Sequence, residues 1–166
     1  TVGDQFSTPG FSRSLHHILK RYTNDSDPLT EAKRKSNDLV LSLYPELKNR
    51  VLHSENLFET ALRLAIAGNI IDFAICDNFD LNTTIEKVLH ADFAIDYSKE
   101  LKQAITNAKT VLYLGDNACE IVFDKLFIET LMHPNLIYAV RGAPVINDAT
   151  MEDAKYVGMT IAADVI

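Results

Sequence analysis

The chain has 166 residues, of which 47% are hydrophobic and 23% are charged, which is typical of a folded globular protein and excludes a mainly disordered one. Its 16 Lys and Arg against 23 Asp and Glu give a net charge of −7, so we expect no nucleic-acid partner, since such binding needs cations against phosphates. No apolar run reaches the roughly 18 residues of a membrane span. Cys76 and Cys119 form no disulfide framework or zinc pattern, which predicts a reducing, cytoplasmic location.

The first part of the chain is predicted to be helical. Apolar residues at helical spacing predict a helix over 9–21, and Asp27-Pro28 is typical of the start of a second helix. We expect the second helix to end near Tyr44, because the following proline cannot donate an amide hydrogen. The basic run at 33–35 is interpreted as the solvated face of this helix.

A third helix is predicted over 57–75, and shorter ones over 84–89 and 97–108. Asn56 and Glu59 form a capping-box pattern at the start of the third helix, which is apolar nearly all round and is therefore expected to be buried.

The pattern changes after residue 109. Short apolar runs at 111–114, 136–140 and 164–166 predict strands, and they alternate with helices at 118–131 and 150–156. Because parallel strands need crossover connections, this order predicts an α/β protein with a helical N-terminal region packed on a three-layer α/β/α Rossmann-like parallel sheet. We place the helical region at 1–108 and the start of the α/β/α domain at 109–166.

Polar residues follow the first two predicted strands. Asp116 and Asn117 come directly after the first, and Asp148 follows the second and precedes a helix. Ligands bind at the carboxyl edge of parallel sheets, and these oxygen donors suit Mg²⁺ or Mn²⁺ better than zinc. The same residues are common in turns and helix caps, so spacing alone leaves both roles open.

Further polar residues are candidates for the surroundings of this site. Asn69 and Asp72 interrupt an apolar helix, where they either cross-link the structure or line a pocket. Glu120 lies near the candidate metal ligands, whereas Asp124 is interpreted as an acidic residue that favours the helix dipole. The sequence contains no P-loop, no dinucleotide fingerprint and no serine-hydrolase elbow.

Two segments resemble a known family. LYLGDNACEIVFD at 112–124 and VRGAPVINDATMEDA at 140–154 are similar to motifs of the damage-control phosphatase family with the ARMT-like metal-binding domain, also called domain of unknown function 89. The segments AGNIIDF at 67–73 and KRKSN at 33–37 resemble motifs of its stand-alone prokaryotic branch.

The resemblance implies a metal-dependent phosphatase that hydrolyses phosphate monoesters such as sugar phosphates or damaged phosphometabolites. It implies Asp116, Asn117 and Asp148 as ligands of Mn²⁺, Co²⁺, Ni²⁺ or Mg²⁺ and assigns Asp116, Asn117 and Glu120 to catalysis. It also implies three residues around the substrate, which are Asn69, Asp72 and Arg141. The expected partner is a small phosphate ester, with neither nucleic acid nor membrane.

The chain departs from the family pattern at three points. Cys119 stands where the family usually has Gly, and the N-terminal C-x-x-C segment of this branch is absent. The family continues beyond the third strand with a Ser-Asn-Gly-Ser-Asp-type loop and a phosphate-binding lysine motif, so we expect these 166 residues to be part of a longer polypeptide. Two alternative hypotheses are an S-adenosylmethionine-dependent carboxyl methyltransferase and a non-catalytic metal-binding fragment.

Overall fold

The computed structural model describes residues 8–70 and 81–166. The helices are α1 (Thr8–Thr23), α2 (Thr30–Leu52), α3 (Leu57–Ile70), α4 (Leu81–His90), α5 (Ser98–Asn107), α6 (Glu120–Leu131), α7 (Met151–Tyr156) and α8 (Met159–Ala162). The strands are β1 (Val111–Leu114), β2 (Leu136–Ala139) and β3 (Asp164–Val165). None of the helices in these two ranges is long and apolar enough to cross a membrane.

The second helix is longer than the sequence predicts. It continues through Pro45 to Leu52, so the predicted end near Tyr44 is wrong. Proline removes one helical hydrogen bond and strains the preceding turn. Leu47 and Val51, which follow the proline on the buried face, extend the apolar stripe into the core, and their burial offsets that cost.

The basic run on α2 is not uniformly solvated, contrary to the sequence interpretation. Arg34 and Lys35 are exposed, but Lys33 retains only 2% of its surface. Its Nζ lies 2.8 Å from Asp27 Oδ2 and 2.9 Å from Asp153 Oδ2. A buried cation requires such partners, and the ion pairs tie α2 to the first turn of α7.

The core lies between α3, α6 and the sheet. Phe58, Ala61 and Leu64 of α3 are buried, whereas Ile66 and Ile70 are 39% and 50% exposed, so α3 is buried on one side and not all round. A Cβ on Gly68 would lie 3.0 Å from Phe123 Cδ2, so glycine allows α3 to approach α6 closely. The predicted cap is present, because Asn56 Oδ1 accepts the Glu59 amide at 3.3 Å.

The strands form a parallel sheet in the order β1-β2-β3, which confirms the predicted α/β class. Tyr113 and Tyr138 lie on the face that α6 covers, whereas Leu112 and Leu114 on the opposite face of β1 are 58% and 72% exposed among the described residues. The helical region and the sheet share one hydrophobic core. The predicted boundary at residue 108, between a helical region and an α/β/α domain, stays a prediction.

Candidate metal centre

The loop after β1 turns sharply beneath the sheet edge. A Cβ at Gly115 would lie 2.2 Å from the Tyr138 hydroxyl oxygen, so only glycine fits at this position. Asp116 and Asn117 follow, and Cys119 then adopts a φ of +75° directly before α6. A short, constrained turn therefore presents Asp116 and Asn117 at the carboxyl end of β1.

The loop after β2 is hydrogen-bonded to this turn. The Ala149 amide donates to the Asp116 carbonyl at 2.7 Å, and the Ala118 amide donates to the Asn147 carbonyl at 2.8 Å. These bonds form an antiparallel bridge between Asn117 and Asp148. The structure thus brings together the two loops that carry the three predicted ligands.

Arg141 connects the two candidate carboxylates. Its Nη2 lies 3.3 Å from Asp116 Oδ1, and its Nε lies 3.0 Å from Asp148 Oδ2. Burial and the nearby charge of Asp116 raise the pKa of the Asp148 carboxyl, although the charge of Arg141 acts in the opposite direction. The two carboxylates therefore repel each other and share one cation.

Glu120 and Asn69 lie beside this pair. Asn69 Nδ2 donates to Glu120 Oε2 at 3.3 Å, which joins α3 to the first turn of α6. Burial and the charge of Asp116 raise the pKa of Glu120, and hydrogen bonds from Asn69 and Asn117 only partly oppose this shift. Asp72, the other predicted pocket residue of this segment, falls outside the described residues.

The residues present fit a hard divalent cation. Both carboxylates lie within 3.3 Å of one cation, the Arg141 guanidinium, and Asn117 is paired with Asp148 in the backbone bridge between the two loops. These oxygen donors match Mg²⁺ or Mn²⁺. Within 8–70 and 81–166 there is no cluster of three or more His, Cys, Asp or Glu that could hold a metal, so the candidate set relies on one amide.

Asp124 has a different role from the one that the sequence indicates. It is 1% exposed, and it accepts hydrogen bonds from the Tyr113 hydroxyl at 2.6 Å and the Tyr138 hydroxyl at 2.7 Å. Burial raises the pKa of Asp124 to about 7 and also raises the pKa of both tyrosines. This cluster anchors α6 to β1 and β2 beneath Gly115 rather than serving the helix dipole.

Side chains from α1 and α2 also reach the two loops. The sequence predicts a site role for none of them, although Asn37 ends the KRKSN segment at 33–37. Asn37 Oδ1 accepts the Cys119 amide at 2.7 Å, and His16 Nδ1 accepts the Ile146 amide at 3.2 Å. Lys20 Nζ donates to the Pro144 carbonyl at 2.9 Å. One signal in the sequence could have indicated Asn37. It lies three residues before Val40, so it places a polar amide on the apolar face of α2.

A cavity of about 510 Å³ opens next to Arg141, beyond the carboxyl end of β2. The segment 140–144 lines one part of the cavity. Polar residues that lie in α2 or α7, or just before these helices, line the rest. These polar residues are Ser26, Asp27, Thr30, Thr150 and Glu152.

Comparison with known proteins places this chain in a family. The model of the Damage-control phosphatase ARMT1-like domain matches residues 4–164. Damage-control phosphatases of Pyrococcus horikoshii and Archaeoglobus fulgidus are 35% and 30% identical over 163 and 162 residues, which are 95% and 90% of this chain and 56% and 54% of those proteins. An uncharacterized protein of Methanocaldococcus jannaschii is 35% identical over 92% of this chain and 52% of its own length.

A solved structure agrees with these matches. The crystal structure of a DUF89 family protein from Pyrococcus horikoshii superposes with a TM-score of 0.75 at 32% identity, over 93% of this chain and 54% of that one. The chain therefore spans about half the length of the curated relatives it matches. The motifs at 112–124 and 140–154 build the two hydrogen-bonded loops, and the chain that carries them belongs to the damage-control phosphatase ARMT1-like domain family.

Proposed function

We propose that this protein is a divalent-metal-dependent phosphatase that hydrolyses phosphate monoesters. The observation that carries the proposal is the convergence of Asp116 and Asp148, from two different loops, on one cationic group. The family membership and the printed names of two relatives support the reaction class. The chain spans about half the length of those relatives, so the activity that their names give enters here as a proposal.

The ligands in this proposal are Asp116, Asn117 and Asp148, with Mn²⁺, Co²⁺, Ni²⁺ or Mg²⁺ as the ion. When bound, the ion supplies Lewis-acid polarisation of the phosphoryl oxygens and orients the attacking nucleophile. The Asn117 side chain also acts to lower the pKa of the Glu120 carboxyl, which is an effect of its amide N–H and leaves its amide oxygen for the ion.

Arg141 and Glu120 have separate roles in this proposal: Arg141 binds the phosphate, and Glu120 is the general base. In this proposal Arg141, whose side chain is 56% exposed, binds the phosphate oxygens through charge-assisted hydrogen bonds. Glu120 accepts a proton from the attacking water at its carboxylate, and its raised pKa brings it closer to neutral pH, where a general base is most effective. Asn69 orients that carboxylate through its bond to Oε2.

The cavity beside Arg141 suits the leaving group. Ser26, Thr30 and Glu152 are among the residues that line it, and hydroxyl and carboxylate side chains are suited to hydrogen bonds with the hydroxyls of a sugar. This lining supports sugar phosphates or damaged phosphometabolites as the substrate class. A cytoplasmic location is part of the proposal and is supported by Cys119, a buried cysteine that is in no disulfide.

Release of inorganic phosphate from a panel of sugar phosphates tests the proposal. We expect release with Mn²⁺, Co²⁺, Ni²⁺ or Mg²⁺, loss of release after chelation, and recovery when the ion is restored, because the candidate site binds phosphate through a cation. Release that persists in excess chelator, or no release across the panel, would overturn the proposal.

Two variants separate the roles of Glu120 and Arg141. Glu120→Gln removes the proton acceptor, so we expect kcat to fall by about 10² to 10⁴ with Mn²⁺ affinity retained. Arg141→Met removes about 1.5–3 kcal/mol of charge-assisted bonding, so we expect KM to rise by about 10- to 100-fold without weaker Mn²⁺ binding. Steady-state kinetics and calorimetric titration measure both, and the reverse pattern would exchange the two assignments.

The alternative hypotheses are less well supported. A carboxyl methyltransferase needs a pocket for adenosylmethionine, yet Gly115 is the single glycine of the turn after β1, and the comparisons do not favour this activity. For a non-catalytic fragment, Asp116 and Asp148 would serve only as caps, but both side chains contact the guanidinium of Arg141 instead.

A further inference from the structure

Two residues with unusual backbone conformations flank the candidate ligands. Cys119, two residues after Asn117, has a φ of +75°, and Ile146, two residues before Asp148, has a φ of +49°. Non-glycine residues rarely adopt positive φ, and the conformation is least favourable for β-branched side chains such as isoleucine. Such a position costs about 1–3 kcal/mol and persists only where its surroundings enforce it.

Helices from the beginning of the chain supply that enforcement at both positions. Asn37 of α2 accepts the Cys119 amide at 2.7 Å, and His16 of α1 accepts the Ile146 amide at 3.2 Å. Asn37 is fully buried and His16 is 3% exposed, so both acceptor side chains are shielded from solvent. The two strained turns are therefore fixed by side chains that lie outside the ligand-bearing loops.

Asn37 and His16 each have a second side-chain nitrogen, and its surroundings indicate that neither residue is present for packing alone. Asn37 Nδ2 and His16 Nε2 are buried and have no hydrogen-bond partner among the described residues. A buried polar atom without a partner costs about 1–3 kcal/mol, so an apolar residue of similar size would pack at lower cost. The bond that each side chain does make is directed at a loop that carries a candidate ligand.

We propose that His16 and Asn37 are positioning residues of the metal centre, which hold the two ligand-bearing loops in the geometry that brings Asp116, Asn117 and Asp148 onto one ion. This inference rests on the proposed function, because it takes these three residues as the ligands. It assigns to α1 and α2 a task in metal binding, although neither helix contributes a ligand.

Asn37→Leu is the main test, because leucine fills a similar volume and removes the acceptor for the Cys119 amide. Loss of groups that orient metal ligands typically weakens binding by about 10- to 100-fold, and we expect a change of this size for Mn²⁺ in calorimetric titration. Val40→Ala is the matched control: Val40 lies on the same face of α2 and is fully buried, so the change lowers stability, but a valine side chain makes no hydrogen bond to either loop. We expect its Mn²⁺ affinity to stay within about twofold of the unaltered protein.

A second substitution distinguishes positioning from general destabilisation. Glycine adopts positive φ without strain, so Cys119→Gly in the Asn37→Leu background should recover part of the lost Mn²⁺ affinity. The same substitution in the Val40→Ala background should give no gain. His16→Leu, paired with Ile146→Gly, applies the same test to the second loop.

Hydrogen exchange provides a readout that needs no metal. In Asn37→Leu we expect faster exchange of amides in 115–119 than in Val40→Ala, since the turn is no longer held. Unchanged exchange and unchanged Mn²⁺ affinity in both Asn37→Leu and His16→Leu would overturn the positioning role. Failure of the unaltered protein to bind Mn²⁺ would instead overturn the proposed metal centre, so the two failures are distinguishable.

Discussion

Asp116→Ala is expected to abolish Mn²⁺ binding and to lower phosphate release by at least about 10³-fold. The substitution removes one of the two carboxylates that face the shared cation position and leaves Asp148 with a single amide as its co-ligand. A metal ion contributes several kcal/mol to stabilisation of a phosphoryl transition state, and each 1.36 kcal/mol corresponds to a tenfold change in rate. Calorimetric titration and phosphate release measure the two effects.

Asp164→Ala is the control for this prediction. Asp164 is an exposed aspartate that pairs with Ile137 near the amino end of β2, whereas Asp116 follows the carboxyl end of β1. It therefore removes the same charge from the protein without removing a candidate ligand, and we expect unchanged affinity and turnover. Metal binding that survives in Asp116→Ala would show that the ligand assignment is wrong.

Lys33→Met is expected to lower the free energy of unfolding by about 3–5 kcal/mol. Breaking a buried ion pair by removing one partner leaves an uncompensated charge, and here two carboxylates, of Asp27 and Asp153, lose their shared cation. The side chains of these carboxylates are only 11% and 7% exposed, so water compensates little. Urea denaturation measures the loss, and Lys35→Met, which changes an exposed lysine of the same helix, should cost less than about 0.5 kcal/mol.

The pH dependence of this pair has a defined sign. Burial acts to raise the pKa of Asp27, but the hydrogen bond and charge of Lys33 outweigh it, so the folded pKa lies below its ordinary value. Burial acts to lower the pKa of Lys33, and Asp27 and Asp153 reverse that shift. The contribution of Asp27 is thus lost as the pH falls through its lowered pKa, and that of Lys33 is lost as the pH rises through its raised pKa.

The stability difference between Lys33→Met and the unaltered protein should therefore be greatest between about pH 4 and pH 10, where both groups are charged in the unfolded chain as well. Denaturation series at several pH values would show a plateau across this window. A difference that grows toward either extreme would contradict the ion-pair explanation.

Local sequence signals determined the order of elements and the position of the candidate site. Strands at 111–114 and 136–140 and the helix at 150–156 follow from patterns within a few residues, and the structure has all three to within one residue at each end. Asp116, Asn117 and Asp148 could be placed at one sheet edge because parallel strands present their carboxyl ends together. That inference needs no knowledge of which side chains pack against one another.

Tertiary packing decided what local patterns could not. The second helix continues through Pro45 because Leu47 and Val51, which follow it, are buried in the core. Lys33 is buried because Asp153, 120 residues away in the chain, forms an ion pair with it. The contacts of His16 and Asn37 with the two loops likewise join residues 130 and 82 positions apart. Sequence periodicity indicates which face of an element is buried. It does not indicate the partner of a buried polar group, because the free energy of burying that group depends on residues that only the folded chain brings near it.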